Sequence, residues 1–155
     1  MITLRDVTEA DASLIYTWKD DAIYKEMASH PKCINSVEKQ QQDIECAIVD
    51  PDEDYKLILL DNEPIGFIRV GWYDDGDGGR LGWISYALGT HRGYGYCSKA
   101  LSLYFDQLKR PVRINATVYT INLASQRLLE RLGFTQIITA MTTEISYTYS
   151  LSLSR

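Results

Sequence analysis

The sequence offers no metal-ligand spacing. Its two histidines, His30 and His91, lie far apart, and Cys33, Cys46 and Cys97 are odd in number and fit no ligand pattern. Reduced thiols in the cytoplasm are the simplest reading. An excess of basic side chains is also missing: 16 basic against 21 acidic residues give a net charge of −5. That argues against nucleic-acid binding, which needs a basic footprint, and mildly favours a cationic partner such as an amine. Long apolar runs do not occur. Met1-Ile2-Thr3-Leu4-Arg5 has no apolar signal-peptide core, and Leu57-Ile58-Leu59-Leu60 is far too short to span a membrane. Repeats, linkers and low-complexity tracts are absent, so residues 1–155 are expected to form one domain with a core of its own.

What is there reads as alternating strands and helices. Ile2–Arg5 is a short strand. Thr8 with Asp11 three residues on is a capping-box-like helix start, followed by Leu14, Ile15 and Trp18 at helical spacing. Asp20–Pro31 is mixed, with a weak helical patch at Ile23–Met27. Ser36 caps a second helix with Ile44, Ala47 and Ile48 on one face, ended by Asp50-Pro51-Asp52. Tyr55–Leu60, Ile65–Tyr73 and Leu81–Leu88 are strands of an antiparallel meander, joined by turns at Asp61–Pro64 and at the acidic, glycine-rich Asp74–Gly79. A helix follows with Cys97, Leu101, Tyr104, Phe105 and Leu108 on one face, stopped by Arg110-Pro111. Val112–Val118 is a β-branched strand. Asn122 opens a helix with Ala124, Leu128 and Leu132 inward and Gly133 as its C-cap. Phe134–Ala140 is a strand. In the last strand Ile145, Tyr147, Tyr149, Leu151 and Leu153 alternate with Ser146, Thr148, Ser150 and Ser152. The order is β-α-α-β-β-β-α-β-α-β-β, an α/β (α+β) arrangement.

Between the third meander strand and its helix stands His91-Arg92-Gly93-Tyr94-Gly95-Tyr96-Cys97-Ser98. A helix start offers unpaired N–H groups and the positive end of the macrodipole, and glycines let that backbone approach an anion closely. A phosphate or pyrophosphate is the expected ligand; the alternative is that Gly93 and Gly95 are ordinary turn glycines. The loop is not the Rossmann fingerprint. It does not open the first βα unit, Ser98 replaces the third glycine, and the position about 20 residues on, near Asn115, is not acidic. Nor is it a Walker A loop, since no Gly-Lys-Ser/Thr follows at the required spacing.

Arg92-Gly93-Tyr94-Gly95-Tyr96-Cys97 resembles the acetyl-CoA pyrophosphate loop of the GNAT N-acetyltransferases, Gln/Arg-x-x-Gly-x-Gly/Ala. Asn122-Leu123-Ala124-Ser125-Gln126-Arg127-Leu128-Leu129-Glu130-Arg131-Leu132-Gly133-Phe134 resembles the Asn-x-x-Ser…Glu-Lys-x-Gly-Phe segment that follows it in that family. The start, Ile2–Arg5 followed by Thr8-Glu9-Ala10-Asp11, is similar to the branch of ribosomal-protein N-terminal (RimJ/RimL-type) acetyltransferases. The resemblance implies a mixed, twisted sheet of about seven strands with helices on both faces. It implies an enzyme that moves an acetyl group from acetyl-CoA to a primary amine by direct attack. The acceptor is either a protein N-terminus or a small molecule, and the protein a monomer or homodimer. An acyl-CoA-binding module without catalysis is the alternative. Two departures support it: Leu129 stands where many members carry a proton-donating tyrosine, and Trp83 where the ribosomal-protein branch often has a glutamate.

By the same resemblance the pantetheine arm lies between Leu81–Leu88 and Val112–Val118, paired with backbone near Tyr86, Ala87 and Leu88, where an N–H serves as oxyanion donor. Arg92, Gly93, Tyr94, Gly95, Tyr96, Cys97 and Ser98 hold the pyrophosphate. Arg92 and Lys99 have the alternative of being solvated charges. Asn122 caps its helix, bonds the pantetheine, or both. Ser125 is either the thiolate's proton donor or a tolerated first-turn serine. Cys97 reads as a small packing residue rather than a nucleophile. For the base, water relayed to Tyr86, Ser85 or an acid of Asp74–Asp77 is open. Trp18, Tyr24, Trp72 and Trp83 form an acceptor wall or, as aromatic stripes more often do, belong to the core.

Overall fold

The computed structural model describes residues 1–28, 34–76, 79–140 and 142–154; His30, Cys33 and Asp77 lie outside them. The chain opens with strand β1 (Ile2–Asp6), then a 3₁₀ turn (Glu9–Asp11) that runs into α1 (Ala12–Lys19). The predicted capping box is present: Thr8 and Asp11 each meet the other's backbone N–H, the Thr8 N–H donating to Asp11 Oδ2 at 2.9 Å. The weak patch after it is a separate short helix, α2 (Ala22–Met27), because Asp21 caps it, accepting from the Ile23 and Tyr24 N–H groups. The element order therefore holds one more helix than the sequence pattern predicts. Ser36 accepts from the Lys39 N–H and starts α3 (Val37–Val49).

The meander follows as β2 (Glu53–Leu60), β3 (Glu63–Asp74) and β4 (Arg80–Leu88). Beyond it come α4 (Tyr96–Asp106), β5 (Val112–Tyr119), α5 (Leu123–Arg131), β6 (Thr135–Ile137) and β7 (Ser146–Leu153). These seven strands form one sheet in the order β1-β2-β3-β4-β5-β7-β6. Among them only β4 and β5 pair in parallel; their neighbours on either side pair antiparallel. Helices cover both faces. On one, Ala100, Leu101, Tyr104 and Phe105 of α4 and Leu128 and Leu129 of α5 pack against Ile58, Ile68, Val70, Ile84, Ile114 and Val118. On the other, Ile15 and Trp18 of α1 and Ile44 and Ala47 of α3 pack against Tyr55, Leu57 and Phe67. The period-2 pattern of the strands and the helical spacing of these residues account for both layers. Among the described residues no helix is long and apolar enough to cross a membrane.

Some expected positions differ. Leu14 and Ile48 face outward, at 36% and 45% exposure, so the buried stripes of α1 and α3 are narrower than predicted. Ala124 is exposed, and Leu129 takes the inward place. The strand after Gly133 is only three residues long, since Ile137 is the last to pair with β7. The polar side of β7 is not a solvent face. Thr148 is fully buried, its hydroxyl bonding to those of Thr139 (3.3 Å) and Thr142 (3.1 Å), and the Ser146 hydroxyl meets that of Thr143 at 2.8 Å. Paired hydroxyls offset the cost of burying that face.

The first helical turn is tied to β1 by charge. Arg5 reaches Asp11 with two parallel hydrogen bonds of 2.9 Å. Burial works against the Asp11 carboxylate, but Arg5 and the Thr8 amide outweigh it and hold its pKa below the ordinary 3.8. A lowered folded-state pKa means stabilisation that is complete above the unfolded value and is lost as pH falls through the folded one. We expect Asp11→Asn to cost about 1 kcal/mol at neutral pH, a modest figure because Arg5 is partly solvated. Urea unfolding of wild type and variant should converge as pH falls through the lowered folded-state pKa of Asp11; a gap that persists unchanged into acid would show that charge is not its source.

Candidate active site

The site begins where the sheet stops being continuous. β4 and β5 pair only from Arg80↔Val112 to Trp83↔Asn115. Beyond that point β4 follows β3 as far as Leu88↔Gly66, and β5 follows β7 as far as Tyr119↔Ser146. Each strand thus turns an edge of peptide groups toward the gap, and such groups need a partner. Glycines secure the outer side. A Cβ on Gly66 would lie 2.3 Å from the Ala87 carbonyl oxygen, and one on Gly89 would lie 2.0 Å from Trp18 Cδ1. Trp18 is thereby pressed beneath the end of β4, where the Gly89 N–H donates to the Ile65 carbonyl at 2.7 Å.

The gap opens into a cleft of about 620 Å³, within the range of small-molecule sites. The loop from β4 to α4 forms one end. His91, Gly93 and Gly95 have φ of 58°, 88° and 78°, and Gly95 is the N-cap of α4. That region is costly for residues with a Cβ, which explains the glycines. An added Cβ at Gly93 or Gly95 would meet nothing within 4 Å, so these positions look onto open space. The amides of Tyr96, Cys97 and Ser98 are first-turn donors, which a helix leaves without intrahelical acceptors. Arg92 folds back, its Nε–H donating to the Leu88 carbonyl at 3.0 Å, and so closes the loop on β4. The loop fits a phosphate-bearing ligand: donors, dipole and empty space coincide.

The other end carries hydroxyls. The Asn122 side chain accepts from the Ser125 N–H at 3.2 Å, capping α5. This turns the Ser125 hydroxyl to the Tyr86 hydroxyl of β4, with which it shares a short hydrogen bond. Burial pushes the Tyr86 phenol up, and the bond to Ser125 only partly offsets this. Tyr86 therefore stays protonated at neutral pH and is a donor, not a base. Burial also pushes the Cys97 thiol up to about 12, which leaves it a poor nucleophile. Leu129 is fully buried in the core and has no access to the cleft.

Of the residues singled out in the sequence, Tyr86, Ala87, Leu88, Arg92, Gly93, Gly95, Cys97, Ser98, Asn122, Ser125, Tyr24 and Ser85 line this one cleft. The side chains of Tyr94 and Tyr96 stack on each other at 5.8 Å outside it. Trp18 and Trp72 are each 6% exposed and belong to the core, where the Trp72 Nε1–H donates to Asp54. Trp83 is half-buried where the parallel pairing ends and does not line the cleft. Asp74 pairs with Arg80 at the far end of β4, about 17 Å of strand from Ser85, too far for a shared proton. Sequence reasoning missed Thr117, Met27, Ala28, Arg127 and Arg131, all of which line the cleft. The two arginines are one helical turn apart, but charges on an outer helix face look alike in sequence whether or not they border a cavity.

Solved structures share this architecture. An acetyltransferase from Thermus thermophilus aligns with a TM-score of 0.80 at 21% identity, covering 99% of this chain and 97% of that one. RimL, a ribosomal L7/L12 alpha-N-protein acetyltransferase in complex with coenzyme A, aligns at 0.79 and 18%, covering 98% and 94%. Aminoglycoside acetyltransferase AAC(6')-Ib in complex with coenzyme A and kanamycin aligns at 0.76 and 23%, covering 98% and 95%. No curated protein sequence matches the chain. The family model described as "Acetyltransferase (GNAT) domain" matches residues 1–135. With the split sheet and the glycine loop lying inside that match, the chain belongs to the GNAT acetyltransferase family.

Proposed function

We propose that the protein transfers the acetyl group of acetyl-CoA to a primary amine in a ternary complex, without an acyl-enzyme. The observation that carries this reading is a single cleft between diverging β4 and β5, with a phosphate loop at one end and the Tyr86–Ser125 hydroxyl pair at the other. The loop from Arg92 to Ser98 would hold the pyrophosphate, and the free edge of β4 at Tyr86–Leu88 would hold the pantetheine. Acetyl-CoA would supply an activated acetyl thioester. The chain supplies the rest: backbone N–H groups that orient the carbonyl, and Ser125 Oγ, which donates a proton to the departing sulfur while Tyr86 stabilises it through their shared hydrogen bond. A binding module without catalysis has no use for two hydroxyls joined at that position.

At the acceptor end stand Ile23, Tyr24, Met27 and Ala28, with Ser85 and Thr117 across the sheet. The residues at this end are uncharged, and among the described residues no carboxylate lines the cleft. That favours an acceptor with one amine beside an apolar group, such as a protein N-terminus, over an aminoglycoside or polyamine carrying several charges. On this reading the chain is an N-terminal, RimL-like acetyltransferase that works in the cytoplasm. Initial rates with peptides and with kanamycin or spermidine decide it; faster turnover of the polycations would reverse the assignment.

Acetyl-CoA should raise the melting temperature by binding the folded state. Gly95→Trp should lower the basal value, because of the positive φ, and abolish the shift. A folded Gly95→Trp protein that keeps its shift would remove the loop assignment. Ser125→Ala should lower kcat about 10- to 100-fold with nearly unchanged acetyl-CoA affinity, since the proton is needed only as the thiolate leaves. Wild-type turnover would return Ser125 to a plain first-turn serine and leave protonation to water.

No carboxylate or histidine lines the cleft among the described residues, so the amine loses its proton to water or before it binds. At saturating acetyl-CoA the rate should rise with pH toward the acceptor's own pKa, and an acceptor of lower pKa should carry the profile with it. A fixed inflection for several amines, abolished by one carboxylate substitution such as Asp77→Asn, would establish a dedicated base instead.

A further inference from the structure

Alternation along the strands divides the cleft between the two faces of the sheet. Ile84 and Tyr86 of β4 join the cluster under α4 and α5, while Ala87 joins the cluster under α1 and α3. Ser85 and Thr117 therefore share the α1 face, opposite the helix that the glycine loop opens. On that face α2 walls the cleft. Ile23 and Met27 are one turn apart, as are Tyr24 and Ala28, so the four make a continuous surface. None carries a charge. The two charged side chains of the helix, Lys25 and Glu26, do not line the cleft, and Lys25 is tied to Asp20 at 2.7 Å. Ile23 is 56% exposed. A single exposed isoleucine is ordinary on an outer surface. This one stands in a concave wall with three uncharged neighbours, where a ligand that covers it removes apolar area from water. The wall is also held in place. Asp21 accepts from the Ile23 and Tyr24 amides, and the Tyr24 ring packs on Phe67 with centroids 6.3 Å apart.

We infer that Ile23 and Met27 select the first side chain of the acceptor, and that this side chain is large and apolar, as in methionine or leucine; the inference rests on the N-terminal reading above. An N-terminal residue carries its amine and its side chain on one carbon. The cleft offers two unlike surfaces for them: the hydroxyls of Ser85 and Thr117 on the strands, and the apolar wall of α2. With the amine at the gap between β4 and β5, α2 is the surface left for the side chain. Met27 is unbranched and adaptable, so it packs against straight and branched partners alike. An aspartate or lysine in first place would lose water with no opposite charge at this end, and a serine would press its hydroxyl against carbon. Alanine would leave the wall wet. Ile23 and Met27 thus determine specificity and take no part in the acetyl transfer.

Peptides of one sequence that differ only in their first residue, Met, Leu, Ala, Ser or Asp, test this at saturating acetyl-CoA. kcat/KM should be at least about 10-fold higher for Met and Leu than for the other three, the discrimination that an apolar pocket provides. Met27→Ala should cut the ratio of the Met to the Ala peptide. Ile23→Arg should raise the Asp peptide relative to the Met peptide by about 10-fold, through a charge-assisted hydrogen bond. Ile23 is exposed and Met27 half-buried, so both variants keep their fold, which the ligand-free melting temperature verifies. Ile48→Ser, which removes an exposed apolar side chain from α3 outside the cleft, should keep the wild-type order. Wild type that favours Ser, Ala or Asp, or folded Ile23 and Met27 variants that keep the wild-type ratios, overturns the inference. Turnover of spermidine with no turnover of any peptide would remove the N-terminal reading itself, which a different order among the peptides leaves standing.

Discussion

The structure depends on a hydrogen-bonding conflict in the middle of its sheet. β4 is committed to β3 along its whole length and β5 is committed to β7 along its own, while the two are joined to each other for only four residues. The twist of the two half-sheets does the rest, drawing the free ends apart. The resulting gap exposes peptide groups in the interior, an arrangement that a folded protein tolerates where a ligand takes up the unmet bonds. The cleft is thus a property of strand pairing before it is a property of any side chain.

Side chains then refine what the pairing leaves open. Gly66 and Gly89 allow the outer strand and Trp18 to press against β4. Asn122 fixes the start of α5 and with it the direction of the Ser125 hydroxyl. The half-buried cluster of Arg69 with Asp43 and Glu53, at 2.7 and 2.9 Å, ties α3 to the meander. Arg69 also lies over the Tyr55 ring at 4.9 Å, so the guanidinium is paired and packed at once. Its carboxylates are spent on that guanidinium.

Much of the fold was legible because its signals are local. The loop glycines at 93 and 95, the caps at Thr8, Ser36 and Asn122, and the turns that separate β2, β3 and β4 each concern residues that are neighbours in sequence. Of the aromatic wall only Tyr24 lines the cleft, for the opposite reason. Trp18 and Trp72 carry no mark that tells a cavity from a core, and their destination is decided by which layers meet. The hydroxyl face of β7 is silent in the same way, since serine and threonine alternate in a strand whether water or another hydroxyl awaits them. The union of Tyr86 and Ser125, 39 residues apart, is a tertiary fact that no spacing rule contains.

The small helix α2 buries none of its own residues fully, and yet Ile23, Tyr24 and Met27 border the cleft at the end proposed for the acceptor. Ala22, Ile23, Lys25 and Glu26 are exposed, and only Tyr24 of this helix packs on the core, against Phe67. Evolution can therefore exchange most of the six residues from Ala22 to Met27 at little penalty to folding. On the proposed reading, a lineage built on this frame can change the amine it accepts while the residues assigned to the thioester stay as they are. Diversity of acceptors on one scaffold follows from where the chain has chosen not to bury itself.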